Sequence, residues 1–212
     1  MARYQQTFTN SCGAASLMCA ASELGVDHLP KRGLWSTREP GTPITGNTTE
    51  VYEALRGWDS KPYENALVSG QAKVEKAIYA VTSGDMASYS LPSRVIAAAR
   101  LMGLDVKMYA APGAYKSLLQ WLYKDQLQAC EDQGITILHT ASPGPTGAER
   151  ELVIVSTFKI GLHYVLRRPL NGQSPFEYMD PADGGEYRDF ESMNTWSKCY
   201  ERTGISFILS RP

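Results

Sequence analysis

Cys12 sits where a helix should begin. Asn10 and Ser11 before it are good N-cap residues, and Ala14, Leu17, Met18, Ala21 and Leu24 follow at spacings of three and four. A cysteine in the first helical turn lies at the positive end of the helix dipole, which favours thiolate over thiol. Its backbone N–H has no acceptor within the helix and can help hold a developing oxyanion. Gly13 and Ala14 are small and are expected to leave room for a substrate beside the sulfur. Gln6, six residues upstream, can swing its side-chain amide over the same point as a second donor, with Gln5 as its rival. Taken alone, the same residues would also suit a buried cysteine opening a structural helix.

A thiolate nucleophile needs a base within hydrogen-bond reach, and the base needs a third group to orient it. His163 lies early in the apolar stretch Ile160–Arg167, and Asp180 comes seventeen residues later, before Pro181. The strand 160–167 and the strand 176–179 are expected to be neighbours, which brings His163 and Asp180 side by side. The rivals are His139 as base and Asp183 as orienting acid. Asp180 is preferred because the residue before proline is held more rigidly. His28 falls in a loop. Cys19, two turns from Cys12, reads as a core cysteine, and Cys130 and Cys199 as incidental.

The elements that must position these residues divide into two halves. Helices are predicted from Cys12 to Gly25, over 47–56 behind a capping box, over 71–81, from a Ser90 cap through Pro92 to Gly103, and over 115–130. The Pro-, Gly- and Thr-rich residues 27–46 form a long loop. Strands are predicted over 104–108, 135–139, 151–157, 160–167, 176–179 and 205–209. Helices in front and strands behind argue for an α+β domain rather than a doubly wound sheet. No Gly-rich phosphate loop follows a predicted strand, so dinucleotide and Walker-type sites have no support.

Composition excludes several classes. The chain has 212 residues, 43% hydrophobic and 20% charged, which fits one globular domain rather than disorder. The net charge is −1, so no basic excess neutralises nucleic-acid phosphates. Apolar runs are far shorter than the ~20 residues a membrane span needs. No signal peptide is read in the polar start, so the chain is expected in the cytoplasm as synthesised. Four widely spaced cysteines and three scattered histidines offer no zinc motif, and the cysteines are expected reduced.

The pattern resembles papain-like cysteine peptidases, most of all the compact bacterial branch of double-glycine peptidases and effector proteases. The matching residues are Gln6, Cys12-Gly13-Ala14-Ala15, Gly161-Leu162-His163, and Asp180-Pro181 with Gly184-Gly185. The segment from Ser90 to Met108 also looks like the family's middle region. One residue separates the glycine from the histidine, a departure from the closest spacing, and most of the chain lies outside these matches. The resemblance implies one papain-like domain over 1–212: a helical lobe of about 1–131 with a central N-terminal helix, and an antiparallel β lobe of about 132–212. It implies Cys12 as nucleophile, His163 as base and then acid, Asp180 as orienting group, and an oxyanion hole from Gln6 and the Cys12 N–H.

The implied activity is hydrolysis of a peptide bond through an acyl-thioester, on a protein or peptide substrate, with no metal or cofactor. A deamidase, transglutaminase or peptidoglycan amidase could use the same triad. A non-catalytic protein-binding domain would have no use for all three residues. A stand-alone protease without signal or propeptide suggests a bacterial effector or toxin, delivered into a target cell by a specialised secretion machine. Oligomeric state stays open.

Overall fold

Helix α1, Cys12–Glu23, begins where the N-cap pattern places it, and every residue from Cys12 to Ala21 is buried. The structure is a computed structural model and describes residues 3–26, 70–83, 89–113, 120–157, 161–170 and 173–212. The helix ends as its sequence directs. Gly25 takes φ +69°, a conformation open to glycine, while Val26 N–H donates to Ala21 O and Gly25 N–H to Ser22 O. The start differs from expectation. Ser11 is the N-cap, but its hydroxyl does not cap the helix and lies instead against the Glu75 carboxylate and the Phe8 carbonyl.

Helices α2 (Gly70–Ser83) and α3 (Pro92–Leu101) pack on α1, and α4, described over Gln120–Glu131, packs on α3. Pro92 opens α3, as predicted. Ser90 does not cap it. The N-cap is Leu91, and the buried Ser90 hydroxyl pairs with Thr82 Oγ1 at 2.9 Å. The predicted loop 27–46 and helix 47–56, with His28, lie outside the described residues.

Among the described residues, seven strands form one sheet in the order β2-β1-β7-β3-β4-β5-β6. They are β1 (Asp105–Ala110), β2 (Ile137–Leu138), β3 (Glu149–Thr157), β4 (Gly161–Leu170), β5 (Gln173–Asp180), β6 (Gly185–Tyr187) and β7 (Tyr200–Ser210). Among the described strands, only β1 and β2 pair in parallel. The fold is α+β, as the segregated pattern predicts, and is consistent with a papain-like architecture. The short β6 and the one-turn helix α5 (Phe190–Met193) lack any periodic signal in the sequence and were not expected.

Helix α1 lies along β4 and runs the same way. Ser16 donates to the Tyr164 carbonyl at 3.1 Å, and Glu23 pairs with Arg168 at 2.6 Å. Seven helical residues rise about 10 Å and four strand residues about 13 Å, so the two contacts fit one parallel alignment. That alignment sets Cys12 beside the start of β4. Leu162, Tyr164 and Leu166 pack in the core that holds α1, while Val165 packs with Tyr178, Phe190 and Tyr200 in a second cluster. At its far end, Glu23 also meets Arg150 at 2.5 Å, and the fully buried Arg168 reaches Glu177 and Glu186. An acidic residue is unfavourable at a helix C-terminus, and here two guanidinium groups offset it.

Candidate active site

The β4–β5 register places Leu166 opposite Met179, and therefore Asp180 opposite Val165. His163 is two residues before Val165, so it shares a face with Asp180 on the diagonal. Strand β5 ends at Asp180, leaving His163 beyond the end of its neighbour. Both residues are buried, and His163 Nε2 lies 2.7 Å from Asp180 Oδ1. The other ring nitrogen, Nδ1, is left for the sulfur of Cys12. Burial alone would lower the imidazole pKa, but the Cys12 charge and hydrogen bonds to Asp180 and Cys12 raise it to about 9.

Asp180 is saturated with donors. Oδ1 also accepts the Ala182 N–H at 2.9 Å, and Oδ2 accepts Lys198 Nζ at 2.7 Å and Tyr200 Oη at 3.0 Å. Burial pushes its carboxyl pKa up, but these donors and the imidazolium hold it well below the usual carboxylate range. The rival Asp183 is exposed and bonds Tyr187, Lys198 and its own turn, not the imidazole. The rival His139 is exposed after β2, at the other side of the sheet from β4.

The other cysteines stand apart. Cys19 and Cys130 are buried thiols, and desolvation pushes each up to about 12. Cys199 is partly exposed, with its Sγ on the Trp196 carbonyl at 2.9 Å. All four cysteines are free.

The segment leading into Cys12 is held from two sides. Gln6 N–H donates to Pro181 O at 2.7 Å, joining it to the turn after Asp180. The Gln6 amide donates to Phe8 O at 2.8 Å and Thr9 O at 2.9 Å, so it spans the loop before Cys12. Gln5 instead reaches the Ala182 carbonyl. From the other side, the fully buried Glu75 of α2 accepts from Tyr4 Oη at 2.7 Å, Thr7 N–H at 3.0 Å and the Ser11 hydroxyl. One carboxylate thereby fixes three points of the approach to Cys12. The sequence held a signal for it, since Glu75, Ile78, Tyr79 and Thr82 repeat at helical spacing on a buried face.

The expected space beside the sulfur is not there at Gly13. A Cβ on Gly13 would sit 2.5 Å from Ser90 Cβ and 3.2 Å from Tyr164 Cδ2. Glycine is required here for close packing of α1, not for substrate room. Among the described residues, no cluster of His, Cys, Asp and Glu could hold a metal, and no helix is long and apolar enough to cross a membrane.

Comparison with known proteins bears on this site. Residues 4–212 match the family described as Invasion plasmid antigen J, cysteine protease. The chain is also 28% identical over 227 residues to Cysteine protease IpaJ of Shigella flexneri, covering 97% of this chain and 77% of that protein. The match takes in the helix of Cys12, the strand of His163 and the turn of Asp180 together, and the chain belongs to the invasion plasmid antigen J family of cysteine proteases.

Proposed function

We propose that this cysteine protease works through Cys12 as nucleophile, His163 as general base and acid, and Asp180 as the group that orients His163. The observation that carries this reading is the buried 2.7 Å contact between His163 Nε2 and Asp180 Oδ1, with Cys12 near enough to the same imidazole to raise its pKa. The Cys12 thiolate attacks the carbonyl carbon of a protein substrate. The C–S bond forms as the carbonyl π pair moves onto oxygen. The Cys12 N–H and the Gln6 amide receive that oxyanion, the amide exchanging one of its two loop carbonyls for it. As the intermediate collapses, the imidazolium gives its proton to the departing amine, leaving an acyl-thioester. Neutral His163 then takes a proton from water, hydroxide adds to the thioester, and the acid leaves as thiolate and imidazolium are restored.

The family assignment favours peptide hydrolysis over the deamidation or acyl transfer that the same residues could perform. A complete set of nucleophile, base and orienting acid argues against a purely binding role. Turnover of a protein substrate by Cys12→Ala, His163→Ala and His139→Ala variants tests the assignment. Loss in the first two and near-normal turnover in the third is expected. Retained turnover in Cys12→Ala would end it.

The family description names an invasion plasmid antigen, which supports reading the chain as a delivered effector. A translocation reporter fused to the full chain should give signal inside the recipient cell. Retention in the producing cell, with the machine functional for other cargo, would count against delivery.

A further inference from the structure

The turn before β7 is built to reach the carboxylate of Asp180. Asn194 closes it, donating through Nδ2 to Tyr200 O at 2.8 Å and accepting Tyr200 N–H at 2.6 Å. Lys198 N–H donates to Thr195 O at 3.0 Å. This frame presents two side chains to the same oxygen, Asp180 Oδ2: Lys198 Nζ and Tyr200 Oη. The Tyr200 ring also stacks on His163, with centroids 5.2 Å apart and planes 18° from parallel.

We propose that Lys198 is a positioning residue for His163, acting through Asp180, with Tyr200 as its partner. Two cations share one buried carboxylate. Lys198 holds Oδ2, which leaves Oδ1 aimed at the imidazole and prevents rotation of the carboxylate. Its charge also opposes that of the imidazolium, so Asp180 steadies the ring without binding its proton too strongly. A base that held its proton too tightly could not deprotonate water in deacylation.

The charged and titratable groups around this pair come from every neighbouring element. Cys12 lies on α1, Asp180 on β5, Asp183 in the turn after it, Tyr187 on β6 and Tyr200 on β7. Lys198 itself contacts Asp183 Oδ2 at 2.8 Å and Tyr187 Oη at 3.2 Å, and lies 4.5 Å from the Tyr187 ring centroid. Asp183 therefore neutralises part of the lysine charge, and Asp180 remains its closer carboxylate at 2.7 Å.

The inference rests on the proposed triad, and the test separates the two. Imidazole nitrogen NMR follows the titration midpoint of His163 in the full chain as wild type, Cys12→Ala, Lys198→Met and Lys198→Arg. Lys198→Met should raise the midpoint by about one pH unit, since a like charge across one carboxylate has been removed. Lys198→Arg should restore the wild-type value. A midpoint unmoved in Lys198→Met, in a folded variant, would overturn the inference. Cys12→Ala should lower the midpoint, and failure there would overturn the triad instead. If Lys198→Met does not fold, Tyr200→Phe keeps the stack and removes only the Oδ2 hydrogen bond. It should broaden the His163 signals while Lys198 holds the midpoint near wild type, and unchanged signals would again overturn the shared role.

Discussion

Gly13 and Ser90 touch so closely that the helix of Cys12 and the approach to α3 leave no space for a methyl group between them. The nearest approach to an added Cβ would be 2.5 Å, from Ser90 Cβ, with Ser90 Oγ at 2.9 Å. Tyr164 closes the remaining side and donates to the Ser90 carbonyl at 3.0 Å. The position of Cys12 relative to β4 therefore depends on a glycine beside it.

Gly13→Ala should destabilise the fold by ~1–3 kcal/mol, the range for forcing extra volume into a packed core. Chemical denaturation reads the loss. Ser90→Gly in the same chain removes the opposing Cβ and should recover part of it. No loss in Gly13→Ala would mean the contact is looser than the geometry indicates.

The imidazole of His163 links stability to pH. Its pKa is raised from the ordinary 6.5 to about 9, so the stabilisation is complete below about 6.5 and fades as pH rises through 9. The wild type should lose up to about 3 kcal/mol over that window, relative to a His163→Gln variant followed in parallel. Parallel curves for the two proteins would contradict the assignment.

Iodoacetamide at pH 6 should label Cys12 before any other cysteine, because protonated His163 lies beside its sulfur. Cys19 and Cys130, pushed up to about 12 by burial, should stay unlabelled in the native protein. Peptide mass mapping after a short exposure distinguishes the four sites. Faster labelling at Cys199, which is partly exposed, would remove the case for a specially activated Cys12.

Gln6→Ala should lower kcat by roughly 10²–10³ with little change in KM, as expected for a donor that acts on the developing oxyanion. Alkylation of Cys12 forms no oxyanion and should keep its rate. Equal losses in both would mean that Gln6 only holds the loop, through the bonds it makes to Phe8 O and Thr9 O.

The elements that carry chemistry were legible because their signals are local. An apolar spacing and a glycine stop define α1, and alternating or continuous apolar runs define β3 and β4. Proline after Asp180 marks the end of β5. What escaped the sequence depends on tertiary partners. Ser11 and Ser90 both read as N-caps, yet each hydroxyl is claimed by a neighbouring helix, Ser11 by Glu75 and Ser90 by Thr82. Lys198 lies in a turn with no periodicity, and only the pairing of β7 with β3 sets that turn near the end of β5, where it reaches Asp180. Gly13 read as room for substrate because a small side chain cannot announce whether the space beside it is empty or filled.

Helix α1 is fastened at both ends. Glu75 and Ser90 hold the approach to Cys12, and Arg150 and Arg168 hold Glu23. Helices normally exchange amide hydrogens by fraying from their termini, and here neither terminus is free to open alone. The amides in the middle of α1 should therefore exchange with solvent on the slowest timescale of the molecule, through global unfolding. By the same route Cys19 meets oxidants only when the whole domain opens, so the proposed nucleophile and an inert thiol can share a single helix.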